Sequence, residues 1–261
     1  MKAAGTHLLR LAGLVLVCAL ALQLWFLGRV ALMIAVDPQS TAFQRSEIWR
    51  IVTTRGELPW RQQWVDYGRI SPALKRAVIA SEDAGFSEHS GVEWDALEKA
   101  WERNQKAEAV AAHQNEQAER RASRPGATGR AASAPKAEPR LVGGSTISQQ
   151  LAKNLFLGGE RSLGRKAQEL VITYFLEATL TKERILEIYL NSVEWGEGVF
   201  GAEAAARHYF HVGAGALSPP QAARLAVMLP APKRFEKRPG SPYLSGRTAT
   251  VLARMGAVEL P

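Results

Sequence analysis

Residues 71–91 read Ser71-Pro72-Ala73-Leu74-Lys75-Arg76-Ala77-Val78-Ile79-Ala80-Ser81-Glu82-Asp83-Ala84-Gly85-Phe86-Ser87-Glu88-His89-Ser90-Gly91. Ser71 suits a helix N-cap and Pro72 the first helical position. Leu74, Ala77, Val78 and Ser81 recur at helical spacing, which predicts a helix that delivers Glu82 to its end. Four ionisable groups then fall within eight residues, Glu82, Asp83, Glu88 and His89. Carboxylates crowded against Phe86 and two glycines suit a cleft in which one carboxyl has its pKa raised and takes or gives a proton. A solvated helix end is the plainer reading of the same residues, because surface carboxylates outnumber catalytic ones.

A second polar stretch, residues 143–154, bears on that choice. Gly143 and Gly144 let the chain turn sharply, and Thr146 with Gln149 forms a capping box. Ile147, Leu151 and Leu155 make an i, i+4, i+8 stripe for a core. Beside it run Thr146, Gln149, Gln150, Lys153 and Asn154, an amide-rich face with one cation that suits a sugar and phosphate groove better than open solvent. Arg161, Arg165 and Lys166 follow, then Glu169 on a helix whose Leu170, Tyr174 and Ala178 face one way. Arg165 and Glu169 are i, i+4 neighbours and so form an ordinary surface ion pair, or else positive charges beside one carboxylate describe a site for a diphosphate and its metal ion.

The remaining elements are helical too. Thr181 caps a helix over residues 182–191 with Ile185, Ile188 and Tyr189 as apolar positions, and a loop with Trp195, Gly196, Gly198 and Gly201 follows it. Residues 202–210 are alanine-rich and helical. Ser218-Pro219 caps a helix carrying Leu225, Met228 and Leu229, which Pro230 and Pro232 end, and 247–255 is a last short helix. No alternating strand is evident, so the fold is predicted to be mainly α.

The 261 residues allow one large domain or two small ones, with ample core. A formal charge of +8 and a pI near 9.8 imply an anionic partner: nucleic acid, a lipid surface or a phosphorylated substrate. The single Cys18 lies in the apolar N-terminal run, which leaves the globular part without a disulfide or thiolate metal site. Val17 stands where lipidation of Cys18 would need a small residue.

Residues 8–36 are almost wholly apolar, with Lys2 and Arg10 before them and Arg29 near the far end. About 20 apolar residues cross a bilayer as a helix, so residues 11–36 are expected to span the membrane. A cleaved signal peptide is the rival, given Ala19-Leu20-Ala21, but the apolar sequence continues well past that point. The leading charges place residues 1–10 in the cytoplasm and the rest outside. Residues 37–70, with Trp49, Trp60 and Trp64 among Arg45, Arg50, Arg55 and Arg61, are expected at the headgroup region. Stacking on nucleic-acid bases is the alternative that their position disfavours. The main domain is expected over 71–257, interrupted by a low-complexity insertion at 104–140 that lacks large apolar residues and reads as a short polar helical extension and then a disordered loop. Ser133-Ala134-Pro135-Lys136 in it matches the Ser-x-x-Lys of penicillin-binding acyl enzymes by chance, with no Lys-Thr-Gly anywhere in the chain.

Glu82-Asp83-x-x-Phe86-x-x-His89-x-Gly91, Gly144-Ser145-Thr146-x-x-Gln149-Gln150-x-x-Lys153-Asn154, Arg165-Lys166-x-x-Glu169, Ile185-Leu186-Glu187-x-Tyr189-Leu190-Asn191 and Arg247-x-x-x-Val251-Leu252 occur in that order. Together they resemble the peptidoglycan glycosyltransferases of family 51, across roughly residues 70–255. With an anchor in front and no transpeptidase domain behind, the chain is similar to the monofunctional members, and its 104–140 segment is longer than the family's usual connection. The resemblance implies a lysozyme-like helical fold with a small membrane-proximal lobe, and the joining of lipid II units into glycan strands. Glu82 would take the proton of the acceptor 4-hydroxyl as it attacks the donor anomeric carbon, the undecaprenyl diphosphate would leave, and an inverted β-1,4 bond would form. Lys153, Arg161 and Arg165 would neutralise the diphosphate, and Glu169 would act through a Mg or Mn ion. Asp83, Ser145, Gln149, Gln150 and Lys166 would line or support the cleft, Glu187 and Asn191 would hold helices together, and His89 would be a structural hydrogen-bonding residue.

The resemblance further implies an inner-membrane protein with a periplasmic catalytic domain, no organic cofactor and no nucleic acid. Its partners would be lipid II and the growing lipid-linked glycan, penicillin-binding transpeptidases, and divisome or elongasome proteins. Two other readings compete: a muramidase or lytic transglycosylase using Glu82 as general acid on finished glycan, and an inactive anchored scaffold that binds through its arginine-rich insertion.

Overall fold

The apolar N-terminal run folds as one helix, α1 (Lys2–Leu32), and helices dominate everything after it. The computed structural model describes residues 2–122, 144–160 and 162–261. The chain divides into two compact units, one of Met1–Gly91 with Thr146–Pro261 and one of Val92–Ser145. After α1 come α2 (Ala42–Arg55), β1 (Arg61–Gln62), α3 (Pro72–Glu82), α4 (Trp94–Ala122), α5 (Ile147–Phe156), α6 (Leu163–Thr179) and α7 (Lys182–Ser192). The chain continues with β2 (Glu194–Gly196), β3 (Val199–Phe200), α8 (Ala202–Phe210), α9 (Pro219–Met228), α10 (Pro232–Glu236) and α11 (Pro242–Arg254).

Leu9–Leu32 of α1 is the one helix among the described residues long and apolar enough to cross a membrane. Its far end leans on α6: Phe26 and Val30 are buried, Gln23 and Gln168 exchange hydrogen bonds of 2.8 and 2.9 Å, and Phe26 meets Phe156 edge to face at 5.4 Å. The helix stops at Leu32, short of the expected Val36. Arg184 explains the stop, because its Nε takes the carbonyl of Met33 at 2.8 Å and its Nη2 takes Asp37 at 2.7 Å.

In residues 37–70 the structure adds α2, which the sequence pattern does not reveal. Its buried residues are Gln44, Glu47 and Ile51, so its inner face is largely polar and carries no hydrophobic period. A Thr41–Gln44 capping box starts it, and Gln44 Nε2 donates to Ser192 O at 3.3 Å. Of the three tryptophans assigned to the headgroup region only Trp49 is exposed. Trp60 stacks on Phe200 at 4.4 Å, and Trp64 lies under the Arg184 guanidinium.

The core is where the helical stripes predict it. Ile147 and Leu151 of α5 and Ile185, Ile188 and Tyr189 of α7 are fully buried, each Leu or Ile contributing about 2 kcal/mol of transfer free energy. α3 packs on α9, α9 on α11, and α5 on α6. On α6 the buried residues are Glu169, Ile172, Thr173 and Leu176, while Leu170, Tyr174 and Ala178 share the exposed face. The loop after α7 supplies β2 and β3, which with β1 form a small sheet of order β1-β3-β2, β1–β3 parallel and β2–β3 antiparallel. Strands of two or three residues are too short to show alternation. Pro232 also opens the short α10, having ended nothing further than α9.

In the second unit α4 joins the Trp94–Trp101 helix and its polar extension into one helix reaching Ala122. Trp94, Leu97 and Trp101 are exposed. The rest of the 104–140 insertion, with the Ser133–Lys136 match, lies outside the described residues, as does Arg161.

Candidate active site

Glu82 is the last residue of α3, and the backbone leaves the helix at Asp83 (φ −164°, ψ 74°). The turn that follows is fixed from several sides. Asp83, buried, accepts from Ile147 N at 2.9 Å through Oδ2 and contacts His89 Nε2 at 2.8 Å through Oδ1. A carboxylate at the start of α5 is well placed against the positive end of that helix. Lys182, at the start of α7, donates to His89 O at 2.6 Å and to Glu177 at 2.9 Å and sits 4.6 Å from the centre of the buried Phe86 ring. Gly91 closes the turn at φ +91°, donating to His89 Nδ1 and accepting from Thr146 Oγ1. A Cβ there would stand 2.7 Å from Thr173 Cγ2, so only glycine meets both the conformation and the space.

Glu82 itself is half-buried. Loss of water raises its pKa above the ordinary value of 4.5 and neighbouring Asp83 adds to the rise, while hydrogen bonds from Gln150 and Ser81 and the charge of Arg247 oppose it. Gln150 Nε2 donates to Glu82 Oε2 at 3.1 Å, and Tyr189 Oη donates to Gln150 Oε1 at 2.9 Å. Burial, with Glu82 and Asp83 nearby, holds the Tyr189 hydroxyl protonated far above its usual range. Tyr189 therefore remains a donor, and that sets which way round the Gln150 amide stands.

The same helix carries one of the cations, Lys153. Gln150 and Lys153 of α5, Arg165 of α6, Phe43 and Glu47 of α2, and Glu194 line one cleft of about 530 Å³. Partial burial in the cleft lowers the Lys153 pKa, with Arg165 and Lys166 adding to the fall and Glu169 opposing it. Glu169 is buried and takes Arg165 Nη1 on Oε2 at 2.8 Å and Lys166 Nζ on Oε1. Arg165 Nε is buried and hydrogen-bonds to nothing among the described residues. A donor so placed in a cleft wall is suited to an anionic ligand.

Sequence reasoning did not find the opposite wall. Lys233 of α10 pairs with Glu47 and stands 3.2 Å from Glu194 Oε1, and Arg50 links Glu47 to Glu197. Glu194 is buried, and burial pushes its carboxyl up to about 7 even though Lys233 opposes the shift. Burial would raise Glu47 likewise, but Arg50 and Lys233 outweigh it and lower that pKa. The available signal was Glu194's position three residues beyond Asn191 in a motif.

The expected residues sort by what they touch. Glu82, Gln150, Lys153, Arg165, Lys166 and Glu169 form one linked group. Asp83 and Gln149 support the cleft from beneath it: both are buried, Asp83 holding the turn and Gln149 capping α5. Ser145 is exposed at the end of the second unit. Glu187 and Asn191 tie α7 to the segment before α3, through Tyr67 N and through both backbone groups of Val65. Both Glu169 oxygens are taken by Arg165 and Lys166, and no cluster of three or more metal-ligating side chains among the described residues includes it.

The transglycosylase family profile matches residues 51–116 and 119–256, and the chain belongs to that family. It is 50% identical to the biosynthetic peptidoglycan transglycosylase of Burkholderia thailandensis over 243 residues, 93% of this chain and 83% of that protein. It is also 50% identical to the one from Bordetella pertussis over 247 residues, 95% of this chain and 91% of that protein. With the Paraburkholderia phytofirmans protein it shares 48% over 252 residues, 96% and 92% of the two chains. The chain is thus an enzyme, a peptidoglycan transglycosylase of cell-wall synthesis on a mainly α fold.

Proposed function

We propose that this enzyme polymerises lipid II into glycan strands, with Glu82 as the general base. The carrying observation is the geometry of α5: Gln150 touches Glu82, and one turn on Lys153 enters the cation-lined cleft with Arg165. The proton acceptor at the end of α3 is thereby tied to the helix that carries the diphosphate-neutralising Lys153, and the two are held at a fixed separation. In this reading Glu82 takes the proton of the acceptor sugar's 4-hydroxyl while that oxygen bonds to the donor anomeric carbon. The bond from that carbon to the diphosphate breaks, its electron pair leaving on phosphate, and the α-linked donor becomes a β-1,4 link by inversion. Diphosphate is already a good leaving group, so it needs charge neutralisation more than protonation, and Lys153, Arg165 and Lys166 supply it. Glu169 holds Arg165 and Lys166 in place; no step is routed through a divalent ion.

In the same reading Leu9–Leu32 anchors the protein once in the cell inner membrane, and the catalytic domain works in the periplasm, where the lipid-linked donor and the growing strand are held at its surface. Penicillin-binding transpeptidases of the divisome or elongasome would receive the strand. The test is polymerisation of labelled lipid II by the full chain. Glu82→Gln should fold normally and make no polymer; near-normal yield from it would sink the assignment, and release of soluble muropeptides from purified sacculi would favour cleavage instead.

A further inference from the structure

Two small cavities flank the far end of α1, one of about 280 Å³ and one of about 210 Å³, and Arg29, Met33, Ser40 and Arg45 line both. Two guanidinium groups therefore converge on one place. Neither forms an ion pair among the described residues: Arg29 lies 5.9 Å from the centre of the Trp25 ring, and Arg45 Nη1 is pinned on Ser40 O and Oγ. Asp37 lines the smaller cavity, but its carboxylate is taken by Arg184. Arg45 also stands in the opening turn of α2, where no acidic residue offsets the positive end of the helix. Positive charge is thus concentrated here, whereas in the catalytic cleft Arg165 and Lys166 are paired with Glu169.

The height of this place on the chain identifies the anion. Arg29 lies in the last turn of the apolar span, beside an exposed Trp25, which is where the phosphates of a bilayer lie if α1 crosses it. The larger cavity is completed by Leu155 and Phe156, apolar groups suited to the first part of an acyl chain. We propose that Arg29 and Arg45 bind the phosphate of an anionic phospholipid headgroup and so fix the catalytic unit's height on the membrane. The proposal rests on the anchoring of α1 and adds a specific lipid site to it.

The full chain in detergent micelles doped with phosphatidylglycerol or phosphatidylcholine tests this by native mass spectrometry. Wild type should retain phosphatidylglycerol about thirtyfold better than phosphatidylcholine, from two arginines near the surface. R29Q/R45Q should lose that preference while polymerising in plain detergent at the wild-type rate, and R238Q/R254Q, which removes the same charge elsewhere, should keep it. Equal lipid retention by wild type and R29Q/R45Q overturns the proposal, and so does displacement of the lipid by millimolar inorganic phosphate, which would mark a general anion site. Carbonate extraction of the membrane-expressed proteins separates the two readings. Release of wild type overturns the anchor and the lipid site together, whereas retention without lipid preference overturns the lipid site alone.

Discussion

Tyr189 Oη donates to Gln150 Oε1 at 2.9 Å, and the amide so oriented donates from Nε2 to Glu82 at 3.1 Å. Tyr189 is fully buried in the core, so the packing of α7 is transmitted through one amide to the proposed base. In the proposed reaction Tyr189 and Gln150 are positioning residues for Glu82.

Tyr189→Phe removes the donor and frees the Gln150 amide to turn its oxygen toward Glu82. The expected result is a fall in kcat of about fivefold with KM little changed, since a hydrogen bond of this kind contributes about 1 kcal/mol. The acidic limb of the kcat–pH profile should move to higher pH as well. A purely structural role would lower thermal stability and leave the profile in place.

Because burial raises the Glu82 pKa, kcat should increase with pH through a midpoint above the ordinary 4.5, the base being active only when ionised. Rate measurements across the acidic range check this, and a limb at or below that value would show that another group is being titrated.

Asp83→Ala leaves Ile147 N and His89 without their partner inside the turn. The cost should be about 3 kcal/mol of stability, read as a lowered thermal midpoint. Asp83→Asn, which can still accept from Ile147 N, should lose less.

Glu194 gives a pH signature in stability. Its folded pKa of about 7 exceeds the ordinary 4.5, so the native state holds the extra proton between those values. The stabilisation it contributes is complete below 4.5 and is lost as pH rises through about 7, by up to about 3 kcal/mol. Glu194→Gln should remove that loss: the variant gains on wild type as pH rises from 5 to 8, in urea melts at matched detergent. A constant difference across the range would refute the assignment.

The helices of the catalytic unit were legible wherever a buried apolar stripe coincided with a cap. Ser71-Pro72 opens α3, Thr146 opens α5, Thr181 opens α7 and Ser218-Pro219 opens α9, each as the residue types predict. Reading failed at α2, because Gln44 and Glu47 face inward and erase the period, and at the sheet, because its strands hold too few residues for a pattern. On α6 the apolar trio Leu170, Tyr174 and Ala178 pointed outward, while Glu169 took the inner face between its two cations.

The site divides the same way. By itself the sequence determined which residue types stand together along the chain: the Glu82–Gly91 turn, the amide face of α5 and the cations before Glu169. Those follow from local spacing, and spacing is a property of sequence. Tertiary structure alone decided that Asp83 turns inward to cap α5, that Tyr189 reaches Glu82 through Gln150, and that Glu47 and Glu194, both paired with Lys233, line the cleft. These contacts join residues 39 to 186 positions apart. Only packing of the intervening helices brings such groups within hydrogen-bonding range, and no local pattern records it.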